Sequence, residues 1–270
     1  MRSPPRPAGS STTASGNDAR AFARGRLDGL RPARDGTLEL AGHGGFVSTY
    51  TDPLGEQPER AYRTGTWTSA WITTRHAVNE AVSSWNAVTP TGSWLQVELR
   101  GRGTTAGPPT KWYVLGRWTA GDDFAAGDIH RSSLDGQGDA DATVYTDTFA
   151  TRDGKAVAGY QLRVSLLTPT GADTGPRLIR IGVMGSFLPD EPTVDASAYP
   201  LRHQVLVDCP QFSQNIHEGE YPDYDGGGEA WYSPTSTSMV VYRWGRRVPA
   251  ADLAWVDAPN GDPQVDYAGR

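Results

Sequence analysis

The sequence predicts a mainly β protein whose larger part is an antiparallel β-sandwich, jelly-roll-like in type, and three observations carry that reading. Apolar and polar residues alternate over short runs, so that each run buries one face. Compact turn clusters separate the runs: Thr89-Pro90-Thr91-Gly92, Gly107-Pro108-Pro109 and Arg152-Asp153-Gly154-Lys155. The 32 glycines and 20 prolines are scattered through 270 residues without period, which favours turns and short strands over long helices.

Taken in order, residues 1–22 read as a disordered tail, since Met1 to Asn17 is rich in Ser, Pro, Gly and Thr and lacks the apolar core of a signal peptide. Residues 23–188 are the sandwich. Half-buried strands are predicted where Leu38 and Leu40 flank Glu39, where Leu95, Val97 and Leu99 alternate with Gln96, Glu98 and Arg100, and where Tyr160, Leu162, Val164 and Leu166 alternate with Gln161, Arg163 and Ser165. A further strand is expected to bury Ile179, Ile181 and Val183 together. Residues 189–200, opening with Pro189-Asp190-Glu191-Pro192-Thr193, break the pattern and read as a linker to a last segment, 201–270.

The tryptophans of the sandwich, Trp67, Trp71, Trp85, Trp94, Trp112 and Trp118, have two readings. A row of three or more exposed rings beside polar groups would stack sugars and make this a non-catalytic binding module for cell-wall glycan or peptide. Buried rings would only pack the core. Trp67 and Trp71, four residues apart, share a face if their strand is regular. The carboxylates of Asp135-Gly136-Gln137-Gly138-Asp139-Ala140-Asp141 suggest calcium, but the glycine and glutamate that an EF-hand loop requires are replaced by Ala140 and Thr146, so a solvated loop is expected.

The last segment holds the strongest local signal. Ser233 before Pro234 reads as an N-cap followed by proline at the first helical position, and Gly245 past Trp244 supplies the stop. Thr237, Val240, Val241 and Trp244 then fall on one helical stripe expected to be buried. Tyr232 would lie just ahead of the helix, where the dipole and free N–H groups favour negative charge. A cysteine there would be activated as its thiolate, whereas a tyrosine phenol ionises only near pH ~10.

The runs Val207-Asp208-Cys209-Pro210-Gln211-Phe212-Ser213-Gln214, Ile216-His217-Glu218-Gly219-Glu220-Tyr221-Pro222, Gly226-Gly227-Gly228-Glu229-Ala230-Trp231 and Ser233-Pro234-Thr235-Ser236 complete the pattern. Together they resemble the C-terminal peptidase-like domain of proteins related to the bacteriocin-processing cysteine peptidases, family thirty-nine of that class. Asp252 to Asp257 and Asp262 to Tyr267 extend the match. The β-rich region upstream more loosely resembles the domain that precedes the peptidase in many such proteins. The resemblance implies a papain-like, α+β fold for residues 201–270, truncated here to its N-terminal part. It also implies peptide-bond hydrolysis by a cysteine and histidine mechanism acting on a peptide or protein substrate.

By the same resemblance Gln214 holds the oxyanion position and Tyr232 stands at the nucleophile position, with Trp231, Ser233 and His217 as neighbouring binding residues. None of the five histidines follows Tyr232 in this sequence, so nucleophile and base are both missing from the pattern and no peptidase turnover is expected. Relatives of this kind are mostly exported, which implies an extracellular location.

Other chemistries are disfavoured. The formal net charge of -6 gives no electrostatic reason for a nucleic-acid partner, and no apolar stretch is long enough to span a membrane. Cys209, the single cysteine, follows a strand-like Val205–Val207 run and reads as an inert core residue. His217-Glu218 begins like a zinc signature, but Tyr221 stands where the second histidine belongs and Gly219 and Pro222 break the helix it needs, so no metal is expected. Gly226 to Gly228 lack the Lys-Ser/Thr of a phosphate loop, and no cofactor is expected.

Overall fold

The structure, a computed structural model, describes residues 14–16, 19–42, 44–55, 57–134, 136–187, 208–220 and 228–250. The described residues up to 187 belong to one compact unit and those from 208 onward to a second. The expected linker, 189–200, lies outside the described residues.

In chain order the first unit comprises β1 (Ala14–Gly16), α1 (Ala19–Ala23), β2 (Arg26–Asp28), β3 (Leu30–Pro32), β4 (Leu38–Leu40), β5 (Phe46–Tyr50), β6 (Arg60–Thr68) and β7 (Ile72–Val78). It continues through β8 (Glu80–Val88), β9 (Trp94–Arg102), β10 (Tyr113–Trp118), β11 (Ala142–Tyr145), β12 (Thr148–Thr151), β13 (Val157–Pro169) and β14 (Arg177–Ser186). These strands form two antiparallel seven-stranded sheets. The first runs β11-β12-β8-β14-β4-β3 with β1 also on β14, and the second runs β10-β9-β13-β6-β2 with β5 also on β6 and β7 on β13.

The sheets enclose one core. Trp85, Phe149, Leu178, Ile181 and Val183 from the first sheet meet Trp67, Leu95, Val97, Leu99, Leu162, Val164 and Leu166 from the second, as period-two alternation requires of a sandwich. A smaller cluster of Tyr62, Trp94, Ile129 and Leu167 lies on the other face of the second sheet, where Ile129 from the loop after β10 seals one end. Where the chain passes from β2 to β3 and from β4 to β5, Gly29 (φ 68°) and Gly45 (φ 98°) come so close that a Cβ on Gly29 would sit 2.3 Å from the Gly45 Cα. Only glycine admits both that contact and the left-handed backbone.

Several expectations are corrected. Residues 14–16 and 19–22, assigned to a disordered tail, form β1 and most of α1: β1 adds to the edge of β14, and Phe22 is fully buried edge-on against Trp67, with ring centroids 5.5 Å apart. One apolar ring with a core pocket outweighs the polar composition around it. Ile179 is exposed although Ile181 and Val183 are buried, because a β-bulge between Leu178 and Arg180 inserts one residue and turns its side chain out. Trp67 and Trp71 do not share a strand face, since β6 ends at Thr68 and Trp71 lies beyond it.

The loop 136–141 is tied down rather than merely solvated. The Gln137 side chain pairs with both backbone groups of Val114 at the bulge of β10, at 2.8 Å and 2.7 Å. Asp139 accepts from the Tyr113 hydroxyl at 2.6 Å and from the amides of Asp141 and Ala142. Burial alone would raise the Asp139 carboxyl, but the Tyr113 hydroxyl, those amides and Lys111 hold it well below the usual carboxylate range. Asp135 lies outside the described residues.

Tyr160 carries a pH prediction. Its ring is buried in the core, its hydroxyl has no partner, and burial pushes its phenol up to about 12. Because the folded value is raised, its contribution is intact below the unfolded value of ~10 and is lost as pH climbs from there to about 12. Tyr160→Phe is expected to leave stability at pH ~7 unchanged or slightly higher and to reduce the alkaline loss, measured by urea unfolding at both pH values.

Candidate functional site

The second unit presents two short 3-10 turns, Gln214–His217 and Gly228–Trp231, and a 12-residue helix, α2 (Tyr232–Arg243). Ser213 caps the first turn by accepting from the Asn215 amide at 3.3 Å. The second turn runs directly into α2, so the helix opens on Tyr232 with Trp231 as N-cap, and no side chain caps it. This corrects the expected cap. Ser233 already lies inside the first turn, half-buried, and Pro234 follows within that turn, where its missing N–H is again one that no helix carbonyl would have used.

Gly245 (φ 78°) closes the helix as expected, its amide donating to the Tyr242 carbonyl while the Arg246 amide reaches the Val241 carbonyl. That pair of bonds is a Schellman motif.

The buried face of α2 is not the expected stripe. Val240 is 54% and Trp244 82% exposed, whereas Pro234, Thr235 and Ser238 are buried. The packed side runs through Trp231, Thr235, Ser238 and Tyr242, spaced at helical repeats, and it faces the segment around the first turn. Phe212 meets Tyr242 edge-on at 5.0 Å, the Phe212 amide donates to the Met239 sulfur at 3.4 Å, and the Ser238 hydroxyl donates to the Val248 carbonyl at 2.5 Å. Small polar residues let the helix approach closely, which apolar counting overlooks.

Between helix and turn lies a cavity of about 150 Å³ whose walls include Phe212, Gln214, His217, Trp231, Thr235 and Tyr242. The His217 ring lies 5.6 Å from the fully buried Trp231 ring, and its Nδ1 is 2.7 Å from Glu220 Oε2. Thr235, only 4% exposed, has a hydroxyl with no partner, a feature no sequence signal announced.

Of the residues singled out from sequence, Gln214, His217 and Trp231 thus share one cavity. Tyr232 and Ser233 do not line it, and Tyr232 is 66% exposed at the helix start. Cys209 is half-buried in an irregular stretch, not in a strand-borne core; Val205–Val207 lie outside the described residues. Among the described residues no group of three or more His, Cys, Asp or Glu is placed to hold a metal ion.

In the sandwich the tryptophan question resolves against a row of exposed rings: Trp67, Trp85, Trp94 and Trp118 are buried, and only Trp71 and Trp112 are half-buried. Both of the latter lie under arginines on the outer face of the second sheet. Arg100 is centred 5.4 Å from Trp71 and 4.5 Å from Trp112, Arg102 4.1 Å from Trp71, and Arg163 4.5 Å from Trp112.

Comparison with known proteins adds the following. The family profile described as Peptidase C39 N-terminal domain matches residues 12–186, which cover the sandwich. No curated protein matches the chain. Among solved structures, the C-terminal CBM6 of LamC, a marine laminarinase from Zobellia galactanivorans, is similar over 64% of this chain and 99% of its own, at 9% identity and a TM-score of 0.26.

Proposed function

This chain belongs to the Peptidase C39 N-terminal domain family, and on that premise we propose that its second unit is a papain-like, peptidase-related segment that engages peptide without cleaving it. The observation that carries the reading is the seat of Tyr232 at the first position of α2, at the mouth of the helix dipole. A thiolate at that seat is stabilised by the dipole and by the unpaired N–H groups, whereas Tyr232 supplies no sulfur nucleophile and its ring is largely exposed. Gln214, in the cavity wall beside Trp231, is assigned the oxyanion-holding role. An amide donor polarises a carbonyl, but without a nucleophile no acyl group is transferred.

Two measurements test this. The purified chain is expected to leave unfolded casein and small peptide esters intact; cleavage that disappears in Gln214→Ala would sink the proposal. Tyr232→Cys is expected to gain a thiol that iodoacetamide alkylates at pH ~7 at least about tenfold faster than Cys209, read by peptide mass spectrometry. Equal rates at the two thiols would show that the start of α2 is not a nucleophile seat.

A further inference from the structure

We propose that the open part of the outer face of the second sheet is a binding platform for a carboxylated polysaccharide. The platform is built from β9 and β13 with two flanking indoles. Glu98 stands opposite Arg163 and Arg100 opposite Gln161 in the antiparallel register, so their side chains share one face, and Trp71 and Trp112 lie against the guanidinium groups. The far end of that face is sealed by Ile129 over Trp94 and Tyr62, which leaves the arginine end as its open part.

Charge is unevenly satisfied here. Arg163 grips the buried Glu98 carboxylate in a two-pronged pair, 2.6 Å at each prong. Arg100 directs both its Nε and Nη2 to the same neutral acceptor, Gln161 Oε1, at 2.9 Å and 2.6 Å. The Arg102 Nε has no acceptor at all, and its guanidinium rests on Trp71. Among the described residues, neither Arg100 nor Arg102 has a carboxylate within ion-pair distance, whereas Arg163 does. Burial and the neighbouring Arg163 charge both work against the protonated form of Arg100.

A chain of net charge -6 thus carries, on this half-buried patch, two arginines without a carboxylate partner among the described residues. Such a cluster is relieved by an incoming anion.

The geometry selects the kind of anion. The Glu98–Arg163 fork is a built-in example of planar carboxylate recognition. Arg100 spends its Nε and Nη2 on Gln161 and the Arg102 Nε is buried, so the terminal nitrogens of Arg102 and the Nη1 of Arg100 are the groups left to meet a carboxylate. The half-buried indoles hold these guanidinium groups by cation–π contact, and the part of each ring that stays accessible adds apolar surface beside the charge for a sugar ring to touch. A polymer that repeats a ring and a carboxylate matches both features. The proposal is independent of the reading of Tyr232.

The test uses the full chain in affinity electrophoresis through gels containing polygalacturonate, dextran or poly-glutamate. Retardation is expected with polygalacturonate at low ionic strength, and it is expected to fall away near ~0.5 M salt. Arg102→Gln, which removes no hydrogen bond from Nε, is expected to weaken binding about tenfold, as loss of one charge-assisted contact would. Gln96→Glu, on the same sheet but paired with Arg117 beyond the indoles, is expected to bind within about twofold of the parent. Absence of salt-sensitive retardation, equal retardation by dextran, or an Arg102→Gln variant that folds and binds like the parent would each overturn the proposal. Stronger retardation by poly-glutamate would also overturn it, in favour of an acidic polypeptide partner.

Discussion

Trp67→Ala is expected to destabilise the sandwich by about 4 kcal/mol. The indole is buried in the core, its Nε1 donates to the Phe22 carbonyl at 2.9 Å, and Phe22 packs against its face edge-on. Removing it empties a large core volume and leaves a buried carbonyl without its donor. Trp67→Phe keeps most of the volume but loses the bond and part of the buried ring, with an expected loss of about 2 kcal/mol. Urea unfolding measures both. Amide exchange adds a local readout, since α1 is anchored by Phe22 and its amides should lose protection first in the alanine variant. A loss below about 1 kcal/mol for the alanine variant would mean that Phe22 and Trp67 do not dock as described.

Glu98→Ala comes second, at about 3 kcal/mol. Glu98 is buried and Arg163 about one-third exposed, so part of the orphaned charge reaches water and the loss falls at the low end for a broken buried pair. The variant also leaves Arg163 beside Arg100 with no counter-charge between them. Glu98→Ala combined with Arg163→Met is therefore expected to recover part of the stability, and a double-mutant cycle from thermal melts reads the coupling. Strict additivity would show that the pair contributes nothing beyond its packing. The same single substitution frees Arg163 of its counter-charge and is therefore expected to strengthen polygalacturonate binding in the folded variant, opposite in direction to Arg102→Gln.

Much of the sandwich was legible in the sequence. The alternating runs at Leu95–Arg100 and Tyr160–Leu166 lie inside β9 and β13, and Leu38–Leu40 is β4. Alternation is a local property: each residue states its own preference for water, and the strand repeat converts that list into two faces. The bulge at Ile179 was not legible, because a one-residue insertion follows from register with β8, a strand far away in sequence. Phe22 was obscured by its polar neighbours, and its burial depends on a pocket lined by Trp67, which lies in another strand.

The second unit divides in the same way. Gly245 announced the end of α2, since a left-handed residue after a helix is a local steric matter. Its beginning was misplaced by two residues because the preceding 3-10 turn supplies the entry and leaves Ser233 nothing to cap. The buried face through Thr235 and Ser238 was missed for a related reason: small hydroxyl side chains look solvent-seeking in a list, yet they allow close packing against Phe212 and Trp231.

Hydropathy and turn chemistry along the chain were enough to say that strands would form and that a helix would begin close to Tyr232, since both follow from residues close together in the sequence. Which strands lie side by side, and that Arg100, Arg102 and Arg163 gather around Trp71 and Trp112, follows only from folding in three dimensions. Backbone hydrogen-bonding groups are alike in every strand, so pairing partners are chosen by how the whole core packs.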